Sequence, residues 1–552
     1  MLTRTSRLLF LLLLCNADSN AQKLKKADKA IVGNLQTHIS YLAADKLEGR
    51  RAGSEGEKLA GEYISNAFQQ AGLQPKGERG SWLQVFEIND GKQVGRSTLF
   101  IINGHDLKLT EEFFPLAFSP NKSLEAAVSA ALAESGVPWF TDIKDLLESN
   151  KDNPHFDIEE AIRIKAKKAA DKGATALIVY NTSAIADGLK FNGKDRAELT
   201  KIPVLYLTAK AKKTYLKDES ATLDIKIKTD IGEQKRTGHN VIGYLDNGAS
   251  QTIVLGAHYD HLGYGEDGNS LFRTGEKAIH NGADDNASGT AALLELARLL
   301  KQSKHKKSNY LFIAFSAEEL GLNGSKFFTE HPTIDLKDVN YMINMDMVGR
   351  LNDSSKVLTI GGYGTSPAWA GILTTAAGKK SYFNVRYDSS GSGPSDHTSF
   401  YRKDIPVLFF FTGQHSDYHR PTDDFDKINY TGELEVVKYI QSIVETSGNT
   451  GKLAFTPTRE TQTASSTRFS VTMGIMPDYT FNGAGIRVDG VTNDRPAQKA
   501  GLKTGDIILQ LGEHNISSMD AYMQALSKFK KGDTATVKYK RGNDMLATQV
   551  QF

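Results

Sequence analysis

The sequence predicts an α/β fold in which a central sheet is covered by helices on both faces. Three observations carry the prediction. Short apolar runs recur through the middle of the chain, at 253–257, 310–315, 341–345 and 405–411. They are continuously apolar rather than alternating, as strands buried on both faces must be. Helical patterns lie between them, for example Leu293, Leu296, Ala297 and Leu300 at helix spacing. Polar residues capable of chemistry follow the runs, and in such sheets ligands bind beyond the carboxyl ends of the strands. The 552 residues exceed one core. They suggest about three or four units at ~100–200 residues each.

Taken in order, the chain opens with Arg4 and Arg7 ahead of an apolar run at 8–14, then the small residues Ser19, Asn20 and Ala21. This reads as a signal peptide over 1–21, too short to span a membrane as a helix. It predicts export, to the periplasm or the extracellular space. The single cysteine, Cys15, lies inside it, so the mature chain is expected to hold no disulfide. A lipid anchor at Cys15 is the weaker reading, because Leu14 is bulky where such sites carry a small residue. No other stretch reaches the ~18 apolar residues of a membrane span.

Five stretches then bring ligand-type side chains, four of them directly after apolar runs. They are Ala257-His258-Tyr259-Asp260, Gly282-Ala283-Asp284-Asp285-Asn286, Ala317-Glu318-Glu319, Asn344-Met345-Asp346 and Asp417-Tyr418-His419. Each has an ordinary explanation: Asp284, Asp285 and Asn286 before a helix are capping residues, and an acidic pair is usually a solvated face. The joint pattern outweighs these. Histidine and carboxylate suit zinc, and less exclusively cobalt or manganese. One aspartate can bridge two cations. Asp260, two residues past His258, could accept its other ring N–H. Of Glu318 and Glu319, one can bind metal while the other moves a proton. Two close ions with a spare carboxylate make a hydrolytic centre.

On these residues the chain resembles the co-catalytic zinc aminopeptidases of the bacterial leucyl-aminopeptidase type, a family that also includes glutamate carboxypeptidase II. The segments Gly282-Ala283-Asp284-Asp285-Asn286-Ala287-Ser288-Gly289, Ser316-Ala317-Glu318-Glu319-Leu320-Gly321 and Tyr418-His419-Arg420-Pro421-Thr422-Asp423 carry the likeness, with His258-Tyr259-Asp260 and Asn344-Met345-Asp346. The segment from Tyr41 to Ser54 is similar to the start of such a catalytic domain. The resemblance implies an αβα sandwich with a mixed, mostly parallel sheet, and two Zn2+ per chain. It implies that Asp285 bridges the ions, that His258 and Asp346 complete one site and that Glu319 and His419 complete the other. Asp285 is preferred to Asp284 because the family's bridging aspartate directly precedes the Asn-Ala-Ser-Gly segment. Glu318 is then the general base, Asp260 orients His258, and Tyr418 hydrogen-bonds the developing oxyanion. Asp396 and His397, in Gly393-Pro394-Ser395-Asp396-His397, are similar to a segment near the substrate pocket. The implied activity removes amino-terminal residues from peptides that have a free amino end.

The catalytic pattern is interrupted between 117 and 233. A helical pattern at 158–172 and apolar runs at 176–180 and 202–207 there resemble a β-rich protease-associated insert. The expected peptidase domain therefore comes in two parts, 22–116 and 234–452. A Thr- and Ser-rich stretch inside 453–468 reads as a linker. Beyond it, 469–552 resembles a small PDZ β-domain, carried by the segments at 485–491 and 496–508, with Met473-Gly474-Ile475-Met476 where the carboxylate-binding loop would lie. A peptide ligand of this domain is the partner such a fold implies.

Charge narrows the classes further. The 67 basic and 65 acidic residues nearly cancel, which gives no support to nucleic-acid binding. Two rivals stay open: a carboxypeptidase of the glutamate carboxypeptidase type, which needs a cationic pocket, and a glutaminyl-cyclase-like acyltransferase, which typically works with one metal.

Overall fold

The computed structural model describes residues 24–552, apart from 152, 154–155, 196, 273–275, 380, 459–470, 478–483, 492–494 and 517–518. The expected signal peptide and most of the expected linker lie outside the described residues.

A nine-stranded mixed sheet organises the peptidase unit. The strands Asn309–Phe315, Thr252–His258, Val339–Met345 and Val407–Phe411 lie side by side and parallel. All residues of the first three are buried. Ile231–Leu245 joins Asn309–Phe315 antiparallel, and Val357–Gly361 joins Val407–Phe411 antiparallel. The sheet is thus mixed, parallel at its centre, with antiparallel pairings made by Ile231–Leu245 and Val357–Gly361 and a further parallel pair at the Asn384–Tyr387 edge.

Side chains alternate between two cores, as strand geometry requires. Ile253, Leu255, Phe312, Ala314, Ile343 and Met345 point into one core with the helices Lys26–Leu42, Gly289–Gln302 and Tyr430–Ser447. Val254, Leu311, Ile313, Phe315 and Met342 point into the other, against Phe328 and Phe400 of the helices Asn323–Glu330 and His397–Tyr401. This is an αβα sandwich.

The long strands Leu83–Val94 and Ile231–Leu245 pair along their length, and Val94 faces Ile231. The chain leaves the peptidase unit there and returns there. Two four-stranded sheets fill the interval, with one core between them and a second core on the other face of the sheet that holds Phe113–Pro115. Their strands Leu99–Ile102 and Phe113–Pro115 pair inside this unit, so it begins well ahead of 117. The apolar runs at its start carry no ligand residues and gave no sign of a boundary. At the other end, Leu453 is buried and Thr458 N donates to Tyr401 Oη at 2.9 Å, so 453–458 pack on the peptidase unit rather than act as linker. A six-stranded sheet with its own core closes the chain.

Candidate metal centre

The carboxyl ends of the three central buried strands deliver the site. His258 is the last residue of Thr252–His258, Glu318 and Glu319 follow Asn309–Phe315, and Asp346 follows Val339–Met345. Asp285 arrives on the turn that opens the helix Gly289–Gln302. A side chain at Gly289 would meet the Met345 carbonyl at 2.4 Å, so glycine lets this turn lie against the strand that delivers Asp346. Thr290 Oγ1 donates to the His258 carbonyl at 2.8 Å and ties the same helix to the other strand. Ala317, Met347 and His419 each adopt left-handed backbone, with φ of 56°, 54° and 54°. Such conformations cost free energy for non-glycine residues and cluster where the fold holds functional groups in place.

Two groups of side chains converge, and Asp285 belongs to both. The ligand atoms of His258, Asp285 and Asp346 lie within 4.8 Å of one another, as do those of His261, Asp285 and Glu319. His258 Nε2 is 3.3 Å from Asp346 Oδ1 and 3.3 Å from Asp285 Oδ1. His419 Nε2 is 3.3 Å from Asp285 Oδ2 and 3.2 Å from Glu319 Oε2. Asp285 therefore turns one oxygen to each histidine.

The histidines are oriented for metal. His258 Nδ1 lies 3.2 Å from the backbone carbonyl of Asp260, and His419 Nδ1 lies 2.9 Å from that of Asn269. A carbonyl can only accept, so each Nδ1 carries the hydrogen and each Nε2 is free to face the carboxylates. Imidazole nitrogens and carboxylate oxygens in this arrangement fit the donor set of zinc.

Asp260 lies beside both His258 and Glu318. Its carboxylate stands 3.7 Å from His258 Nδ1, farther than its own carbonyl, and accepts from Glu318 N at 3.1 Å. Ser395 Oγ donates to Asp346 Oδ2 at 2.8 Å and accepts from Asn344 Nδ2 at 2.8 Å. Asp423 Oδ2 accepts from the backbone N–H of both Asp284 and Asp285. Asp284 itself is turned away: its side chain meets Ser288, Gly349 N and His415. Tyr418 stacks on His419 with ring centroids 3.9 Å apart. Asp396 and His397, expected at the substrate pocket, are both buried, and His397 stacks on Phe409 at 4.6 Å.

Electrostatics separate the two glutamates. Burial and the charges of Asp346, Asp396 and Glu319 hold Glu318 well above the usual carboxylate range, against the pull of His258. Burial also pushes Glu319 up, but His419 and His261 bring it down to about 2. Burial lowers His258, and Asp346 and Glu318 more than reverse that. Burial drives Asp396 up to about 7 and His397 down to about 3.

His261 escaped the reading of the sequence. It is buried, and its Nδ1 lies 2.8 Å from Glu319 Oε1. It follows Asp260 directly, one residue beyond the His-Tyr-Asp segment. The signal was a second histidine just past the end of a buried strand. Asp423 lay within the quoted segment, but nothing in its spacing marked it as the acceptor for the Asp285 turn.

The family model for peptidase family M28 matches residues 240–444, and that for the PDZ domain matches residues 457–552. A probable lipoprotein aminopeptidase from Mycobacterium tuberculosis is 30% identical over 72% of this chain and 81% of its own length. An aminopeptidase from Bacillus subtilis is 27% identical over 71% of this chain and 79% of its own. A solved zinc aminopeptidase from Bacillus subtilis aligns over 75% of this chain and 94% of its own at 22% identity, with a TM-score of 0.42.

Proposed function

The chain belongs to peptidase family M28, and from that membership we propose that it is an exported zinc aminopeptidase working with two metal ions and Glu318 as general base. The observation that carries the two-ion reading is the position of Asp285, whose two oxygens face His258 and His419 at 3.3 Å each.

His258, Asp285 and Asp346 would hold one ion, and Asp285, Glu319 and His419 the other, with His261 beside Glu319. When bound, two such ions supply Lewis acidity at the water and at the substrate carbonyl. The chain's own residues do the rest. Glu318 takes a proton from the attacking water and returns it to the leaving amine. Its raised affinity for protons suits a group that must hold one between two steps. Asp260 fixes the backbone at Glu318 and the tautomer of His258. Tyr418, stacked on His419, is placed beside the second ion's ligands, where its hydroxyl can stabilise developing negative charge. Asp396 and His397 are buried, so we read them as the wall beside Glu318 rather than as substrate contacts. The PDZ domain would bind extended peptide ends by strand addition.

The test is metal analysis and peptidase assay on the purified chain, with peptides carrying free or acetylated amino ends. Two zinc ions per chain and cleavage of only the free-ended peptides are expected. Glu318→Ala should lower kcat about 10²- to 10⁴-fold with metal content unchanged. Equal cleavage of blocked peptides would move the assignment to a carboxypeptidase or endopeptidase. One ion with no hydrolysis would favour the cyclase-type rival.

A further inference from the structure

A cluster of five charged residues lies outside the candidate metal centre, and each comes from a different part of the chain. Asp267 sits at its middle with its side chain only 8% exposed. Arg51 grips it with two bonds, Nε to Oδ2 at 2.8 Å and Nη2 to Oδ1 at 2.9 Å. Arg236 Nη2 donates to its oxygens at 3.2 and 3.3 Å, and Lys194 Nζ to Oδ1 at 3.2 Å. Asp90 stands beside it, 2.7 Å from Lys194 Nζ and 3.1 Å from Arg236 Nε. Burial alone would raise the Asp267 carboxyl, but Arg51, Arg236 and Lys194 bring it down to about 2, so it stays charged.

Lys194 belongs to the inserted unit. Its neighbour Gly193 accepts from Lys92 N at 2.7 Å, which lays the insert's loop on the Leu83–Val94 strand. Asp267 belongs to the loop that follows His261. Two residues on, the Asn269 carbonyl faces His419 Nδ1 at 2.9 Å, and Asn269 Nδ2 donates to the Glu319 carbonyl at 3.3 Å. Leu271 N donates to the His419 carbonyl at 2.9 Å. Among its described residues this loop has no helix or strand of its own. Its conformation rests on what grips it, and bidentate arginine fixes geometry as well as charge.

We infer that Asp267 is a positioning residue for the His419 and Glu319 side of the metal centre, and that Lys194 makes the inserted unit part of that support. The inference rests on the two-ion reading of the site. It predicts a selective effect: loosening Asp267 frees the Asn269 carbonyl, and His419 loses the acceptor that keeps its Nε2 turned inward, while His258 and Asp346 keep theirs.

Metal-free full-length protein is titrated with Co2+, with calorimetry giving the affinity of each ion and visible absorption its ligand field. The wild-type chain is expected to take up two ions. Asp267→Asn should weaken one of them about 10- to 100-fold, the usual cost of losing a group that orients a ligand. It should be the same ion that His419→Ala weakens, and its absorption bands should shift. Lys194→Ala, at a partly exposed position, should weaken that ion about 2- to 5-fold, as a partly exposed ion pair allows. Its effect should shrink in the Asp267→Asn background, because the two share a bond. Equal weakening of both ions, or no change in either variant, overturns the inference alone. A wild-type chain that takes up a single ion overturns the two-ion reading, and the inference with it.

Discussion

His397 is buried against Phe409, and burial holds it down at about 3, far below the ordinary 6.5 of histidine. The folded chain therefore refuses a proton that the unfolded chain accepts below about 6.5. The stability this residue permits is complete above that value and falls as pH drops towards about 3. The slope is at most ~1.4 kcal/mol per pH unit, so on the order of 2 kcal/mol is lost by pH 5. His397→Gln removes the titration while keeping a neutral side chain. The variant starts from a lower melting temperature at neutral pH, since it loses the stack on Phe409. Its melting temperature should then fall less than the wild type's between pH 7 and pH 5. Parallel curves would mean that His397 takes up its proton while folded.

On the helix Tyr430–Ser447, Glu433 is fully buried and neither carboxylate oxygen has a hydrogen-bond partner among the described residues. Burial, reinforced by Asp284, pushes it well above the usual range. A raised folded value means stability that is complete below the unfolded value and lost as pH rises through the folded one. Glu433→Gln has the same shape and cannot ionise. Its advantage over wild type in thermal melts should therefore grow from pH 4.5 to pH 8; a constant gap would show that Glu433 ionises in the folded chain at an ordinary carboxylate value. At this scale the sequence was a good guide to some elements and blind to others, for one reason. Strands such as Thr252–His258 are buried on both faces, so burial writes a continuous apolar run, and the residue after the run is marked by position. The loop that carries Asp267 and Asn269 has no period. It is held by Arg51, 216 residues away in the chain, and by backbone carbonyls that any residue could supply. For the same reason the start of the insert at 99 left no local trace.

For the whole molecule, the question is which units the chemistry needs. The sheet of the C-terminal unit has its own core, whose described residues all lie between Val471 and Phe552. All the side chains that converge at the candidate centre lie between His258 and His419. A chain cut after Thr458 should therefore hydrolyse a single-residue amide at a kcat/KM within about twofold of the full chain, since no residue of the metal groups found among the described residues is removed. A chain cut after Lys452 should not be equivalent. It lacks buried Leu453, Phe455, whose ring lies 5.5 Å from that of Tyr401, and Thr458, which is bonded to Tyr401 Oη and whose Oγ1 accepts from Gly391 N at 3.0 Å. Tyr401 and Gly391 bracket the segment that brings Ser395 to Asp346. Losing one buried leucine alone costs about 2–5 kcal/mol when it leaves a cavity, so the shorter chain should melt several degrees lower. It should also need more zinc for half-maximal activity, because the support of Asp346 is loosened. Equal melting temperature and equal zinc requirement for the two truncations would show that 453–458 is a linker after all.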